Sequence, residues 1–305
     1  MQTRSRARLQ LVLAAALFST GGAAIKACHL TGWQVGGLRS AIAVVAFLLL
    51  VPEARRRPSG RELLVALAYA GCLVSFVLAN KLTTAADAIF LQSAAPLYLL
   101  FLSPLLLGER STRRDLAFLG VLALGIACIF VDQLTGAAAP AAQSTAPDPW
   151  LGRWVGLGSG LLWAFTMLGL RWLASKGASG SGASAVVFGN GFAALACAPF
   201  ALPMAVPPLA DVLVLVYLGV FQIAIAYRFV TRALREVPVF EAAVLLLVEP
   251  VFNPLWSWIV HGEEPTRWAL AGGAVILGAT LVKTWIEARE ARRDRLPAGS
   301  EPEQC

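Results

Sequence analysis

The most constraining feature of the sequence is a series of apolar runs, each long enough to cross a lipid bilayer. One of them, AIAVVAFLLLV at residues 41–51, carries no charge and does not alternate apolar with polar residues. A helix of about 20 apolar residues spans the hydrocarbon core of a bilayer, whereas the strands of a membrane β-barrel alternate. With 58% hydrophobic and 14% charged residues, the chain is predicted to be an all-α integral membrane protein.

Charges, Gly and Pro bound these runs into ten predicted transmembrane helices, five in each half of the chain. They lie at about residues 9–27, 33–51, 62–80, 85–107, 115–132, 151–173, 184–204, 209–230, 238–260 and 267–286. The predicted domains are residues 1–132 and 151–286. The segment between them, 133–150, is predicted to be a flexible, solvated linker, and residues 287–305 a charged cytoplasmic tail.

The basic residues predict the orientation of these helices. Of the 25 Lys and Arg residues, all but Lys26, Arg39, Lys81, Arg153 and Arg267 fall at the loops of one side. Cytoplasmic loops are enriched in Lys and Arg, so both termini are predicted to face the cytoplasm from a cytoplasmic (inner) membrane. This pattern explains the net charge of +7 as a topology signal, and no nucleic-acid partner is expected.

An internal repeat relates the two halves. A gap-free shift of 154 residues lays the fourth and fifth predicted helices on the ninth and tenth. It pairs Asp87 with Glu241, Pro96 with Pro250, Gly108 with Gly262 and Glu109 with Glu263. Because each half contains an odd number of helices, the halves enter the membrane from opposite sides and form inverted repeats, the arrangement that supports alternating access.

Two segments carry a family resemblance: PLYLLFLSPLLLGERST at 96–112 and EPVFNPLWSWIVHGEEPT at 249–266, supported by AIKA at 24–27 and LRSA at 38–41. The sequence resembles EamA-type transporters of the drug/metabolite transporter superfamily over nearly its whole length. The resemblance implies a secondary transporter that exports small metabolites such as amino acids by alternating access around a central cavity, with protons as a candidate coupling ion. A non-transporting membrane scaffold or sensor, and a lipid flippase, are the alternatives.

Glu249 is the most informative candidate site residue. It lies near the middle of the ninth predicted helix, close to the bilayer midplane, where a carboxyl group must be neutral, paired or facing a wet cavity. A proton carrier or counter-ion, and a structural Glu beside Pro250, are equal alternatives. Its repeat mate is Ala95, and function often resides where a repeat breaks its symmetry.

Asn253 and Trp256 follow Glu249 by four and seven residues and share its helical face. A polar stripe with an aromatic residue is typical of a cavity wall. The alternatives are helix–helix hydrogen bonding by Asn253 and interfacial anchoring by Trp256, and anchoring is favoured for Trp256 taken alone.

Arg39 lies about two turns inside the outer end of the second predicted helix, deep enough that it should either snorkel or find an anionic partner. Glu249 or a substrate carboxylate could serve, and structural pairing is the favoured interpretation. Gln92, Asn190 and Gln222 are uncharged polar residues within other predicted helices. Helix–helix hydrogen bonding is their default role, and cavity lining is the alternative.

Pro96 and Pro250 stand roughly mid-helix, where each removes one backbone hydrogen bond. They are candidate hinges, with a static kink as the equal alternative.

The charged residues near predicted helix ends are interpreted differently from those within the spans. Lys26, Lys81 and Asp87 are predicted to form a solvated rim. Glu109 and Glu263 close the fourth and ninth helices, and they are assigned to capping or loop pairing.

Metal, cofactor and enzyme functions are not expected. The five cysteines, Cys28, Cys72, Cys128, Cys197 and Cys305, show no CxxC spacing, and His29 and His261 are the only histidines. These residues offer little material for a metal site or a catalytic triad. The expected partners are therefore a small-molecule substrate, the lipid bilayer and protons.

Overall fold

The regular structure is helical throughout the residues that the computed structural model describes, which are 2–95, 97–98, 113–135, 145–175, 181–233, 236 and 245–293. The α-helices are α1 Gln2–Ser19, α2 Gly21–Ala27, α3 Gly32–Leu50, α4 Gly60–Leu82, α5 Ala85–Gln92, α6 Arg113–Thr135, α7 Pro149–Ser175, α8 Ser181–Ala201, α9 Leu209–Val216, α10 Ala226–Ala233, α11 Val248–His261 and α12 Arg267–Arg293. A π-helix, Tyr217–Ile225, joins α9 to α10, and a 3-10 turn, Pro52–Arg55, follows α3.

Six helical stretches of the described residues are long and apolar enough to cross a membrane. They are Ser5–Ala27, Gly32–Leu50, Gly60–Leu82, Gly182–Ala201, Leu209–Val230 and Arg267–Ile286. The prediction of an all-helical, multi-pass membrane protein is confirmed at this level.

The predicted boundaries of the second and third helices, 33–51 and 62–80, agree with α3 and α4 to within two residues. Each of these helices begins at a capping box. Thr31 N donates to Gln34 Oε1 at 3.1 Å and Gln34 N donates to Thr31 Oγ1 at 3.3 Å; Ser59 and Glu62 repeat the exchange at the start of α4. Such boxes satisfy amide groups that the first turn would otherwise leave unpaired.

Both ends of the predicted linker are helical in the described residues. Helix α6 continues to Thr135 and α7 begins at Pro149, so both helices extend into residues 133–150. Before α7, Ala146 is 4% exposed and Asp148 N donates to Leu82 O at 3.0 Å. This end of the segment is therefore joined to α4 through its backbone, while the side chains of Pro147 and Asp148 are exposed.

Burial is inverted relative to a water-soluble protein. Leu49, Leu64 and Leu195 are about two-thirds or more exposed, at 70%, 66% and 71%, while Arg39 and Asp87 are each 1% exposed. An apolar exterior around a polar interior matches a helix bundle whose solvent is lipid.

The helices pack mainly across the two halves of the chain. Helix α4 packs against α7 and α8, α3 packs against α8 and the π-helix, and α1 packs against α10 and α11. Helix α5 contacts α7 and α12, and α6 runs against α12.

The α6–α12 crossing depends on small residues. A Cβ atom on Gly272 would collide with the carbonyl oxygen of Gly125 and lie 2.7 Å from Ile129 Cγ1, whereas a Cβ on Gly278 of the same helix would meet nothing within 4 Å. We expect Gly272→Ala to destabilise the protein by about 1–3 kcal/mol, the usual cost of overpacking.

Thermal unfolding of the purified protein in detergent measures this effect, with Gly278→Ala as the matched control. The control should be close to neutral because it adds a better helix former without a collision. Equal melting temperatures for the two variants would contradict the close crossing.

Candidate functional site

Two helices break at equivalent positions of the predicted repeat. Helix α5 ends at Gln92 and a turn follows at Ser93–Ala94, while a turn at Leu247 precedes α11. Positions 93 and 247 differ by 154, the repeat shift. In the first break, Ala94 N donates to Leu91 O at 3.2 Å and Leu97 N to Ala94 O at 2.9 Å. These bonds span three residues and tighten the chain locally.

The second break lies beside Pro250, which is buried in the first turn of α11. An α-helical turn tolerates Pro there because the missing N–H would have no partner within the helix. Pro96 lies outside the described residues. Pro254, in the interior of α11, was not singled out by the sequence analysis.

Two further irregularities lie next to each other. The first transmembrane stretch breaks at Thr20, between α1 and α2, and the π-helix begins at Tyr217. The hydroxyl oxygens of Thr20 and Tyr217 are 2.7 Å apart. π-Helices are rare in proteins, and those that occur are often found at functional sites. The contact between Thr20 and Tyr217 therefore marks this part of the helix bundle as a candidate site.

Arg39 is buried inside the helix bundle, and few polar groups stabilise its charge. Its Nη2 donates to Leu73 O at 3.2 Å, and its Nε makes no hydrogen bond with a described residue. Tyr69 and Tyr227 lie within electrostatic range of Arg39, and their rings meet edge to face with centroids 5.5 Å apart. No ion pair to Glu249 forms, so the structural pairing favoured from the sequence is not observed.

Glu249 lies in the first turn of α11 and is half-buried. Among the described residues it has no hydrogen-bond or ion-pair partner. It lies within electrostatic range of Tyr227 and Cys72, and so does Arg39. The two ionisable groups therefore lie in the same part of the bundle and do not form an ion pair with each other.

Three buried side-chain amides, those of Asn80, Gln222 and Asn253, lie around α2. A Cβ on Gly22 would lie 2.5 Å from Asn253 Oδ1 and 3.0 Å from Asn80 Oδ1, and a Cβ on Gly21 would lie 2.8 Å from Gln222 Nε2. Both polar atoms of the Asn253 side chain are enclosed without a hydrogen bond to a described residue, as are Asn80 Oδ1 and Gln222 Oε1. Buried amides in this state are poised to bind water or a polar ligand.

Other candidates mainly join helices. Gln92 Nε2 donates to Ser159 Oγ at 2.8 Å, the default role expected for it. Trp256 Nε1 donates to Ser19 Oγ at 3.0 Å, which ties α11 to α1. Asn190 Nδ2 donates to Val186 O of its own helix at 2.9 Å, and its Oδ1 is enclosed without a hydrogen bond to a described residue.

A buried charge network closes the end of the bundle where α2, α4, α7 and α11 meet. Lys26 Nζ lies 3.0 Å from Glu263 Oε2 and donates to Thr83 O at 2.9 Å and to Thr145 O at 2.7 Å. Glu263 accepts in addition from Ala85 N at 2.5 Å and from Thr145 Oγ1 at 2.7 Å. The Lys26 and Glu263 side chains are 3% and 1% exposed.

A second ion pair lies in the same network. Arg153 Nε donates to Asp87 Oδ2 at 2.8 Å, with side chains 4% and 2% exposed. Thr83 Oγ1 donates to the same carboxylate oxygen at 3.1 Å. We call Lys26, Thr83, Asp87, Arg153 and Glu263 the ion-pair end.

The prediction of a solvated rim for Lys26 and Asp87 is wrong. Lys81, predicted with them, donates to the carbonyl oxygen of Cys28. Glu263 forms the loop pairing expected of it, whereas Glu109 lies outside the described residues. Sequence analysis missed the network because its members come from segments far apart in the chain, and each alone looks like an ordinary charge at a helix end.

Among the described residues, no group of three or more His, Cys, Asp or Glu side chains could hold a metal ion.

Comparisons with known proteins identify a family and a fold. The model of the EamA-like transporter family matches residues 6–131 and 150–285. A solved structure described only as the crystal structure of a protein superposes with a TM-score of 0.62 at 20% identity, covering 94% of this chain and 99% of that one. At that identity the likeness shows the fold alone. No curated protein matches the chain.

Proposed function

The chain belongs to the EamA-like transporter family, and on that premise we propose that it is a secondary transporter of small metabolites with ten transmembrane helices in two inverted repeats. The repeats would be residues 1–132 and 151–286. The cargo would bind in the interior between them and leave the cell by alternating access.

The paired helix breaks are the single observation that carries this proposal. The turns at Ser93–Ala94 and at Leu247 occupy the same repeat position, and partnerless buried polar atoms lie on the helices around them. Broken helices facing each other at mid-membrane are the usual way in which inverted-repeat transporters build a binding site.

The packing pattern supports inverted repeats as well. If the two repeats are exchanged, the contact between α4 and α7 becomes the contact between the α9–α10 span and α1. The contact between α5 and α7 becomes the contact between α11 and α1. The contacts of α3 with α8 and of α6 with α12 map onto themselves. A pseudo-two-fold axis through the bundle accounts for all of these contacts.

The ion-pair end would be the outer gate. The distribution of Lys and Arg places this end away from the cytoplasm, at the outer face of the inner membrane. Lys26, Asp87, Arg153 and Glu263 join the ends of helices from both halves, so both pairs would have to separate, or move as units, when the outer face opens. The structure would then represent a state closed on that side.

Glu249 would couple transport to protons, with the breaks beside Pro96 and Pro250 as hinges. Its carboxyl group is half-buried without a partner among the described residues, and it lies within electrostatic range of Tyr227 and Cys72. A protonatable group in that position can load a proton in one state and release it in the other.

The test is a comparison of internal and external metabolites in cells that lack or overproduce the protein. We expect at least one small metabolite to accumulate inside the deficient cells and outside the overproducing cells. Unchanged levels in both would favour the scaffold or sensor.

A lipid flippase is less well supported by the lateral surface. The apolar cleft between α6 and α7 has a volume of about 440 Å³ and is lined by Leu97, Tyr98, Ala123, Ile126, Ala127, Phe130, Trp154 and Leu157. The Tyr98 hydroxyl already donates to Leu157 O at 3.0 Å. The cleft suits acyl chains and offers no charged side chain for a lipid headgroup.

A further inference from the structure

The environment of Arg39 points to a specific chemistry for the cargo. We infer that Arg39 binds a carboxylate group of the transported molecule, an inference that rests on the proposed transport function. Arg39 is 1% exposed and lies two turns inside α3.

The hydrogen bonds of Arg39 leave its charge unbalanced. A guanidinium group carries five N–H donors, and the structure gives it one hydrogen bond, to the neutral carbonyl of Leu73. The described ion pairs use Asp87, Asp211, Glu62 and Glu263, and none involves Arg39. A buried cation without an anion is strongly disfavoured, so an anion from outside the chain would stabilise it.

The surrounding side chains complete a receptor for such a group. The hydroxyl of Tyr69 lies among Tyr227, Asn190 and Arg39 and makes no well-formed hydrogen bond with a described residue, and neither does Oδ1 of Asn190. Tyr69 can donate to a carboxylate together with Arg39, while Asn190 Oδ1 can accept from a donor next to it. The rings of Tyr69, Tyr227 and Phe18 pack in sequence, with centroids 5.5 Å and 5.1 Å apart, and form one wall.

Glu249 does not compete for this role in the present structure. Both Glu249 and Arg39 lie within electrostatic range of Tyr227 and Cys72, and they form no ion pair with each other. Arg39 comes from the first repeat and Glu249 from the second. The anion site and the coupling group are therefore separate, and a variant at one need not mimic a variant at the other.

Proteoliposomes test the inference with three separate loads: the standard amino acids, their primary amides and their decarboxylated amines. The wild-type protein should release at least one amino acid at least tenfold faster than the matching amide and amine. Arg39→Gln should reduce that release at least tenfold. Arg39→Lys should release the amino acid at a rate between those of the wild type and Arg39→Gln. Lys keeps the positive charge but cannot form two parallel hydrogen bonds to the carboxylate.

Arg267→Gln is the control, since Arg267 is exposed at the start of α12 and should release the amino acid at the wild-type rate. The same amino acid should raise the melting temperature of the wild type and of Arg39→Lys but not that of folded Arg39→Gln. Wild-type release of amides or amines as fast as acids would overturn the inference and leave transport intact, as would full release by Arg39→Gln. If the wild type releases none of the three loads, the carboxylate inference fails, and the proposed function is then judged by the cell metabolite comparison.

Discussion

Glu249→Gln is expected to reduce export of the cargo at least tenfold while the amount of protein in the membrane stays normal. Gln keeps the shape of the side chain but can neither bind nor release a proton, so a coupled cycle stops between its two states. The folded structure should tolerate the change, because the carboxyl group has no partner among the described residues to lose. Export from cells under an imposed pH gradient, normalised to membrane abundance, measures the effect.

Two controls separate coupling from packing. Glu236→Gln removes an exposed carboxylate outside the helices and should leave export unchanged. Glu249→Asp keeps a titratable group one methylene shorter and should retain measurable, pH-dependent export. Full export by Glu249→Gln would remove Glu249 from the mechanism and leave it a structural residue.

Glu263→Ala is expected to open the ion-pair end and to destabilise the protein by about 3–5 kcal/mol, the usual cost of removing one partner from a buried pair. Lys26 would stay buried beside Thr83 and Thr145 without its carboxylate. Replacing both partners, Lys26→Met with Glu263→Leu, should recover most of the loss because no buried charge is then left unpaired. Thermal unfolding in detergent measures both changes.

Cys28 reports the opening itself. It is 1% exposed and two residues beyond Lys26, and burial raises the pKa of its thiol. In the closed state the reactive thiolate is therefore scarce at pH 7–8. Glu263→Ala should lower this pKa and speed labelling by a membrane-impermeant maleimide, with the largest gain at neutral pH. The control Glu264→Ala removes a neighbouring exposed carboxylate and should label as slowly as the wild type. Equal labelling of all three proteins would contradict a gate at this end.

The sequence predicts well how deep a residue lies in the membrane, and it predicts poorly which side chains that residue contacts. Hydropathy places Arg39 and Glu249 inside the membrane because the length of an apolar run sets the depth of each residue in it. Whether the two side chains meet depends on the rotation and shift of α3 against α11, which tertiary packing decides. The same limit applies to the bond from Trp256 to Ser19, which joins α11 to α1 and which no local pattern predicts.

Local irregularities of the helices likewise include some that the sequence predicts and some that it does not. The capping boxes at Thr31 and Ser59 can be recognised in the sequence because their partners lie three residues away. The π-helix from Tyr217 to Ile225 cannot, since one extra residue per turn scarcely changes an already apolar pattern. The ion pair of Lys26 with Glu263 joins residues 237 positions apart, and no local pattern predicts it.

Efflux from proteoliposomes loaded with a small-molecule extract of the producing cells tests the central claim, that this chain moves a metabolite across the membrane. At least one compound should leave vesicles containing the wild-type protein at least tenfold faster than vesicles containing Glu249→Gln or no protein. If the wild-type protein is folded and reconstituted and every compound leaves at the protein-free rate, the chain is not the transporter proposed.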